Sequence, residues 1–365
     1  HPCGSDCFAQ AGQFLFSTCI AYPHIQTWGV QPVVGAKRSF MANKILFVGG
    51  TGQISLPCVI EAKQAGHDVT VLNRGSLGDT LPAGVKQLTA DFTDDDAYAA
   101  ALAQQSWDTV CQFIAFTPDD VARDIRLLSG TARQYIFISS ASAYQKPVET
   151  FPITEDVPLV NPYWAYSRNK ADAESLLHSQ TALPYTIVRP SHTIRTAFPT
   201  ALGEGDTVLS RILEQKPIIV PGDGQALWTM TRSEDFAVPF VRLFGREEAL
   251  NTAFHLTSDH AFPWTMIYQA VGRALDRKVD LVPVPSKVLA RHHEPWREYL
   301  LGDKGYTVLF DNSKIKSVVG DFQCVKTLDE LLATPLRLWN LNGGKAQLRP
   351  SAELDGLIES VIKGR

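Results

Sequence analysis

At 365 residues, 45% hydrophobic and 20% charged, the chain has the length and apolar content to bury one large core or two unequal ones. Its formal charge of -4 offers no broad basic field to a polyanion, so nucleic acid is disfavoured as a partner. No run approaches the roughly 20 apolar residues of a membrane-spanning helix, which points to a cytoplasmic protein with a small-molecule partner and no membrane.

Residues 1–40 stand apart from the rest. They have no clear period, several Pro, Gly and Cys, and an apolar stretch, FLFSTCIAY, without the basic n-region of a secretory signal. MANKILFVGG, from Met41, reads as a natural start, so 1–40 is expected to be a leader or extension outside the fold. Cys3 and Cys7 lack a second ligand pair at zinc spacing, and the adjacent His292 and His293 point their side chains apart, so no metal site is expected. Cys58, Cys111 and Cys324 sit in apolar patterns and read as reduced core thiols.

From Lys44, short apolar runs alternate with helical patterns: KILFVGG, a helix to Ala65, GHDVTVLNR, a helix around DDDAYAAAL, and DTVCQFIAF. That succession is βαβαβ. Thr117, Pro118 and Asp120 then supply an N-cap, a proline at N1 and an acid in the first turn of the next helix, which leads to the strand YIFISSAS. A helix over about 164–179 precedes a sixth strand, YTIVRP. Beyond Pro190 the pattern is mixed, with turns such as VPGDGQ, and fits a smaller second lobe. Thr327 to Glu330 forms a capping box before LLATPLRLW, and NLNGGK reads as a linker to an amphipathic tail helix bearing Leu354, Leu357, Ile358 and Val361.

The turn after the first strand, from Gly49 through Gly50, Thr51, Gly52, Gln53 and Ile54, suits a dinucleotide pyrophosphate. Gly49 allows the tight exit, Gly52 lets the backbone approach the phosphates, and the following helix offers free N–H groups and the positive end of its dipole. The third expected glycine is Ser55, small enough to keep the helix close to the strand. The second strand ends in Asn73 and Arg74 instead of the acid that would bind the adenosine ribose of NAD. An amide there spares a 2′-phosphate repulsion and Arg74 supplies it charge, which favours NADP, with NAD the alternative.

Tyr166 and Lys170 stand at i and i+4 of a helix, on one face, so an ammonium beside the phenol would favour its ionised form and make Tyr166 a usable acid/base. Upstream, FISSASAY at 137–144 is a strand ending in hydroxyls, placed to meet a reacting oxygen at the cofactor crevice.

These motifs in this order resemble the extended short-chain dehydrogenase/reductase family, also called NAD-dependent epimerase/dehydratases. The likeness runs from about Lys44 to Trp339 and includes GGTGxI, ADF at 90–92, SSxxxY, YxxxK, TIVRP at 186–190 and GDG at 222–224. It implies an α/β fold: a doubly wound (Rossmann), mainly parallel sheet with a smaller C-terminal α/β substrate lobe. The expected division is 41–195 for the dinucleotide-binding domain with return elements at about 228–258, 196–341 for the substrate lobe and 342–365 for the tail. By position, the resemblance places Gly49, Gly52 and Ser55 on the pyrophosphate and Asp91 and Phe92 on the adenine. It makes Ser140 the catalytic hydroxyl and Tyr166 the acid/base, gives Lys170 the nicotinamide ribose and the tuning of Tyr166, and leaves Asp235 a mainly structural acid. It also implies a homodimer through the helices that carry YxxxK.

The departures narrow the activity. Ala141 and Ser142 stand where sugar dehydratases carry an acidic pair, so dehydration is disfavoured. Trp228 stands where family members often set an arginine against a nucleotide-sugar diphosphate, and an indole stacks on a sugar or aromatic face instead. Ser142, His192, Trp228 and Arg232 are the candidate substrate contacts, with His192 and Arg232 readable also as a loop histidine and a surface arginine. The expected function is hydride transfer at an alcohol or carbonyl carbon of a small, sugar-like substrate, as net redox or as a transient-ketone epimerisation. The alternatives are an RNA-binding module, as in the chloroplast stem-loop binding relatives that share an R(G) after the second strand, and an NADPH sensor without turnover.

Overall fold

The computed structural model describes residues 43–76, 80–203 and 205–364. The expected leader, Met41 and Cys3, Cys7 and Cys19 lie outside those residues. The chain enters β1 (Lys44–Val48), α1 (Ser55–Gln64), β2 (Asp68–Asn73), β3 (Lys86–Thr89), α2 (Asp95–Leu102), β4 (Thr109–Gln112), α3 (Pro118–Leu128), β5 (Tyr135–Ile138), α4 (Ala165–Ser179) and β6 (Tyr185–Pro190). It leaves the sheet for β7 (His192–Ile194), α5 (Gly205–Leu213), β8 (Ile218–Pro221) and β9 (Leu227–Arg232), and returns through α6 (Ser233–Val241) to β10 (Thr252–Leu256). Then follow β11 (Ala261–Pro263), α7 (Trp264–Ala274), β12 (Leu281–Val284), α8 (Ser286–His292), α9 (Glu294–Tyr299), α10 (Ser313–Val319), α11 (Leu328–Leu341) and α12 (Ala352–Lys363).

Seven strands form one sheet in the order β10-β6-β5-β4-β1-β2-β3, and every pairing in it is parallel. The period of two in KILFV explains how this sheet is covered on both faces. Ile45 and Phe47 enter one cluster with α1 and α6, while Leu46 and Val48 enter another with α2 to α4, and all four are wholly buried. The order reverses at β1, between β2 and β4, and the crevice outside the carboxyl ends of these strands is where a doubly wound sheet binds ligands. Cys58, Cys111 and Cys324 are buried free thiols.

The expected capping box forms at α11, on Thr327 and Glu330, and at α3 the expected N-cap Thr117 and first-turn acid Asp120 close a capping box as well. Two elements differ from the sequence reading. β3 is an edge strand whose residues KQLT are largely exposed, so no apolar alternation marks it. β9, expected among the return elements, pairs with β11 and β7 in a separate three-stranded sheet, and the return to the main sheet is made by α6 and β10 alone.

A further core packs around Trp228, Trp264, Tyr268 and Met230. The tail helix α12 is docked on it. Ile358 and Val361 join a cluster with Leu289 and Trp296, and Arg211, only 1% exposed, reaches Asp355 at 2.5 Å and Glu359 at 2.6 Å. Among the described residues no helix is long and apolar enough to cross a membrane, and no cluster of His, Cys, Asp and Glu is set to hold a metal.

Candidate active site

The glycine turn joins β1 to α1. Gly49 has φ +83°, and a Cβ there would stand 2.5 Å from Ile114 Cγ2; one at Gly50 would stand 2.7 Å from Val71 Cγ2. The Ile114 and Val71 side chains thus leave no room for a Cβ at either position, and the positive φ of Gly49 favours glycine there as well. At Gly52 a Cβ would meet only Ser55 Oγ, at 3.2 Å, so its outer side is open for a phosphate. Ser55 is buried, and its hydroxyl accepts the Gly52 N–H at 2.9 Å, which fixes the turn from beneath. The first turn of α1 has neither a capping side chain nor an acid; Pro57 brings no N–H and the Leu56 N–H is donated to the Gly52 carbonyl at 3.2 Å, so it is the Ser55 N–H and the helix dipole that are left to an anion. Gln53 reaches the segment that follows β6: its Nε2 donates to the Thr193 carbonyl at 2.8 Å, and its Oε1 accepts from Thr196 Oγ1 at 2.6 Å. Thr51 and Ile54 are half-buried beside it.

At the end of β2, Asn73 Oδ1 accepts from Gly75 N at 2.8 Å and Gln87 Nε2 at 3.0 Å. That leaves the Asn73 Nδ2 buried with no hydrogen-bond partner, and Arg74 exposed next to it. Asp91 accepts from Thr93 N at 2.9 Å and Thr93 Oγ1 at 2.8 Å, bonds that hold its carboxyl below the usual range. Phe92 is turned into the protein, edge-on to Tyr98 and beneath the Arg123 guanidinium.

The hydroxyls after β5 form a chain: Ser140 Oγ to Ser142 Oγ at 2.8 Å, and Ser142 Oγ to Ser167 Oγ on α4 at 2.8 Å. Tyr166 precedes Ser167. Its phenol is pushed up to about 12, chiefly by burial, with a hydrogen bond from Ser140 acting against that and the Asp303 carboxylate adding to it. Lys170 is buried and donates to the main-chain oxygens of Ala115 and Ile138, each at 2.7 Å, with Phe137 and Phe116 around it. Burial drives its ammonium down to about 7. The sequence led to the expectation of an ammonium that lowers the phenol. The structure instead gives a phenol held neutral and an ammonium spent on two carbonyls, its Nζ 5.8 Å from the Tyr166 ring centre.

The substrate candidates fall in different surroundings. Trp228 is 2% exposed, stacked on Trp264 with His192 at its edge, so its faces are already covered by protein. His192 is pushed down to about 3 by burial and by Lys304, and is therefore a neutral imidazole. Arg232 is tied to Asp235, which also accepts the Val325 N–H at 2.9 Å. Ser142 lies in the hydroxyl chain beside Tyr166.

The sequence reading missed Asn161, Lys146 and Asp303. Asn161 Nδ2 donates to Ser142 O at 2.8 Å and to Gly302 O at 2.7 Å, joining the serine turn to the π-helical turn Leu300–Lys304. No local pattern could have revealed a contact across that sequence distance. Only the side-chain amide before Pro162 and the lone GD in LLGDK offered a signal.

Residues 45–253 match the model of the NAD dependent epimerase/dehydratase family. A 2′-dehydrokanamycin reductase from Streptomyces kanamyceticus is 26% identical over 323 residues, 87% of this chain and 89% of that protein. The chloroplast stem-loop binding protein of 41 kDa b from Arabidopsis thaliana is 26% identical over 333 residues, 85% of this chain and 82% of that protein. Among solved structures, an epimerase from Methanothermobacter thermautotrophicus superposes with a TM-score of 0.67 at 16% identity, covering 84% of this chain and 94% of that one. The UDP-glucose 4-epimerase of Bifidobacterium longum, in complex with NAD+ and UDP, gives 0.65 at 18% identity, over 82% and 99%.

Proposed function

The chain belongs to the NAD dependent epimerase/dehydratase family, and from that premise we propose that it is an NADP(H)-using oxidoreductase that reduces a ketone of a small, sugar-like substrate carrying no nucleotide diphosphate. A nicotinamide cofactor supplies hydride exchange at the carbon that bears the oxygen. The remaining work falls to the chain. The open side of Gly52, the uncapped start of α1 and the orphaned Asn73 Nδ2 fit a dinucleotide: two anionic phosphates at the turn and an acceptor at the adenosine ribose. Asn73 and Arg74 support a 2′-phosphate, hence NADP.

The observation that carries the reading is the Ser140, Tyr166, Lys170 arrangement at the carboxyl edge of the sheet, with the phenol held protonated. A neutral phenol is the form that gives a proton, so as the carbonyl carbon gains hydride its oxygen takes the Tyr166 proton. Ser140 positions that oxygen, and the Ser142 and Ser167 hydroxyls lead back from it. Transient-ketone epimerisation would use the same residues. The 2′-dehydrokanamycin reductase resembles this chain over most of both lengths and supports net reduction; residues 196–341 are the part of the chain we assign to the substrate.

The test is consumption of NADPH, followed at 340 nm, on 2′-dehydrokanamycin, with UDP-glucose as the epimerase comparator. Ketone-dependent oxidation of NADPH supports the reading, whereas interconversion of UDP-glucose and UDP-galactose without net oxidation would replace reductase by epimerase. The likeness to the stem-loop binding protein is examined by filter binding across salt, where no salt-dependent RNA affinity is expected.

A further inference from the structure

We infer that Asp303 is a specificity-determining residue whose carboxylate accepts a hydrogen bond from a hydroxyl of the substrate, so that the enzyme selects hydroxylated compounds over their deoxy counterparts. The inference rests on the oxidoreductase reading above and names the substrate feature that the site would require.

Asp303 lies on the π-helical turn Leu300–Lys304, an irregularity that recurs at functional sites. The turn is fixed against the catalytic elements on two sides. Asn161 ties Gly302 to Ser142, and a Cβ at Gly302 would stand 2.9 Å from the Trp164 Cβ, so only glycine lets the turn approach the start of α4 this closely. The carboxylate is thereby brought near enough for its field to reach the Tyr166 phenol.

Its own bonding is incomplete. Among the described residues no donor comes within hydrogen-bond distance of the Asp303 carboxylate, and its nearest cation, Lys146 Nζ, stands at 3.9 Å. Lys146 and Lys304 offset its charge, but a carboxylate that accepts no hydrogen bond from the chain keeps its acceptor capacity for a ligand. The chemistry of that partner follows from the charges around it. The Lys146 side chain is wholly buried, whereas the Asp303 side chain remains 16% exposed. Lys304 also bears on it. With two ammonium groups already around one carboxylate, a cationic amine gains little there, while a neutral O–H gains a charge-assisted bond. A chamber that expects a hydroxyl discriminates strongly against an analogue lacking it, because the acceptor is then left unpaired.

The experiment reads binding, so it reports whether or not turnover is found. Dissociation constants of trans-1,2-cyclohexanediol and cyclohexanol are measured by NMR titration on the NADP+-loaded protein and on the protein alone, for the wild type, Asp303→Asn and Asp303→Ala. The wild type should favour the diol by about 10- to 100-fold, and both variants should bring that ratio close to one while their NADPH affinity stays at the wild-type value. The two variants guard against a fold lost in one of them, and unchanged NADPH affinity reports an intact site. Equal affinity for the two probes, binding of neither, or a preference that survives in Asp303→Ala overturns the inference. Loss of NADPH turnover in the wild type would overturn the oxidoreductase reading alone.

Discussion

Lys170 is charged only at an energetic cost. Its folded value lies at about 7, whereas in the unfolded chain a lysine keeps its proton to about 10.4. Between those two values the unfolded state binds more protons, so stability rises with pH; below about 7 both states are protonated and the cost of burial is present in full. Lys170→Met removes that dependence. The stability of the wild type relative to Lys170→Met, from urea midpoints of the cofactor-free protein, should therefore climb by on the order of a few kcal/mol between about pH 7 and about pH 10. A difference flat across that range would mean that Lys170 titrates like a solvated lysine. Tyr166→Phe separates chemistry from structure at the same site. It removes one oxygen and keeps the ring that packs on Trp164, so NADPH affinity should hold while kcat falls by about 10² to 10⁴, the usual contribution of a general acid. Full turnover in Tyr166→Phe would reduce Tyr166 to a structural helix residue.

At the scale of elements, what was legible in the sequence followed from local patterns with one physical cause. The period of two in β1 answers to the two sheet faces it must cover and the caps of α3 and α11 to residues three positions away, while the glycines at 49 and 50, marked by the turn pattern, make room for the Ile114 and Val71 side chains. β3 escaped because an exposed edge strand buries no stripe. The β2 end shows how an element's last residue carries function. Asn73 spends its oxygen on Gly75 and Gln87 to close the turn, which leaves its amide Nδ2 without a partner, and the proposed function gives that amide and the adjoining Arg74 to a ribose or its phosphate. Arg74→Ala should weaken NADPH binding by about ten- to a hundredfold, a charge-assisted bond lost, and leave NADH nearly unchanged, since only the 2′-phosphate distinguishes the two. Calorimetric titration of both cofactors decides it, and equal losses would remove Arg74 from the phosphate site.

The whole molecule brings together what no local pattern records. Tyr166 and Lys170 were singled out by their spacing and Ser140 by the family resemblance, but Asn161 meets Gly302, and Gln53 meets Thr193 and Thr196, across sequence gaps that only the packed chain closes. Gln53 is the clearest case. Its side chain projects from the phosphate turn of one lobe and makes bonds of 2.8 and 2.6 Å to the segment that leads into the other, with a longer one of 3.3 Å to Thr196 N. Under the proposed function a dinucleotide seated on the glycine turn would lie beside this tie, and its departure is expected to be easier once the turn and the segment separate. Gln53→Ala leaves the backbone N–H groups of the turn in place and removes only the tie. At about 1 kcal/mol for each hydrogen bond lost, the NADPH dissociation rate in stopped-flow displacement should rise by about 5- to 30-fold. Hydrogen exchange over residues 193–196 should quicken in parallel, because the same bonds restrain that segment. If exchange quickens and the dissociation rate does not move, Gln53 fastens the two lobes together without guarding the cofactor.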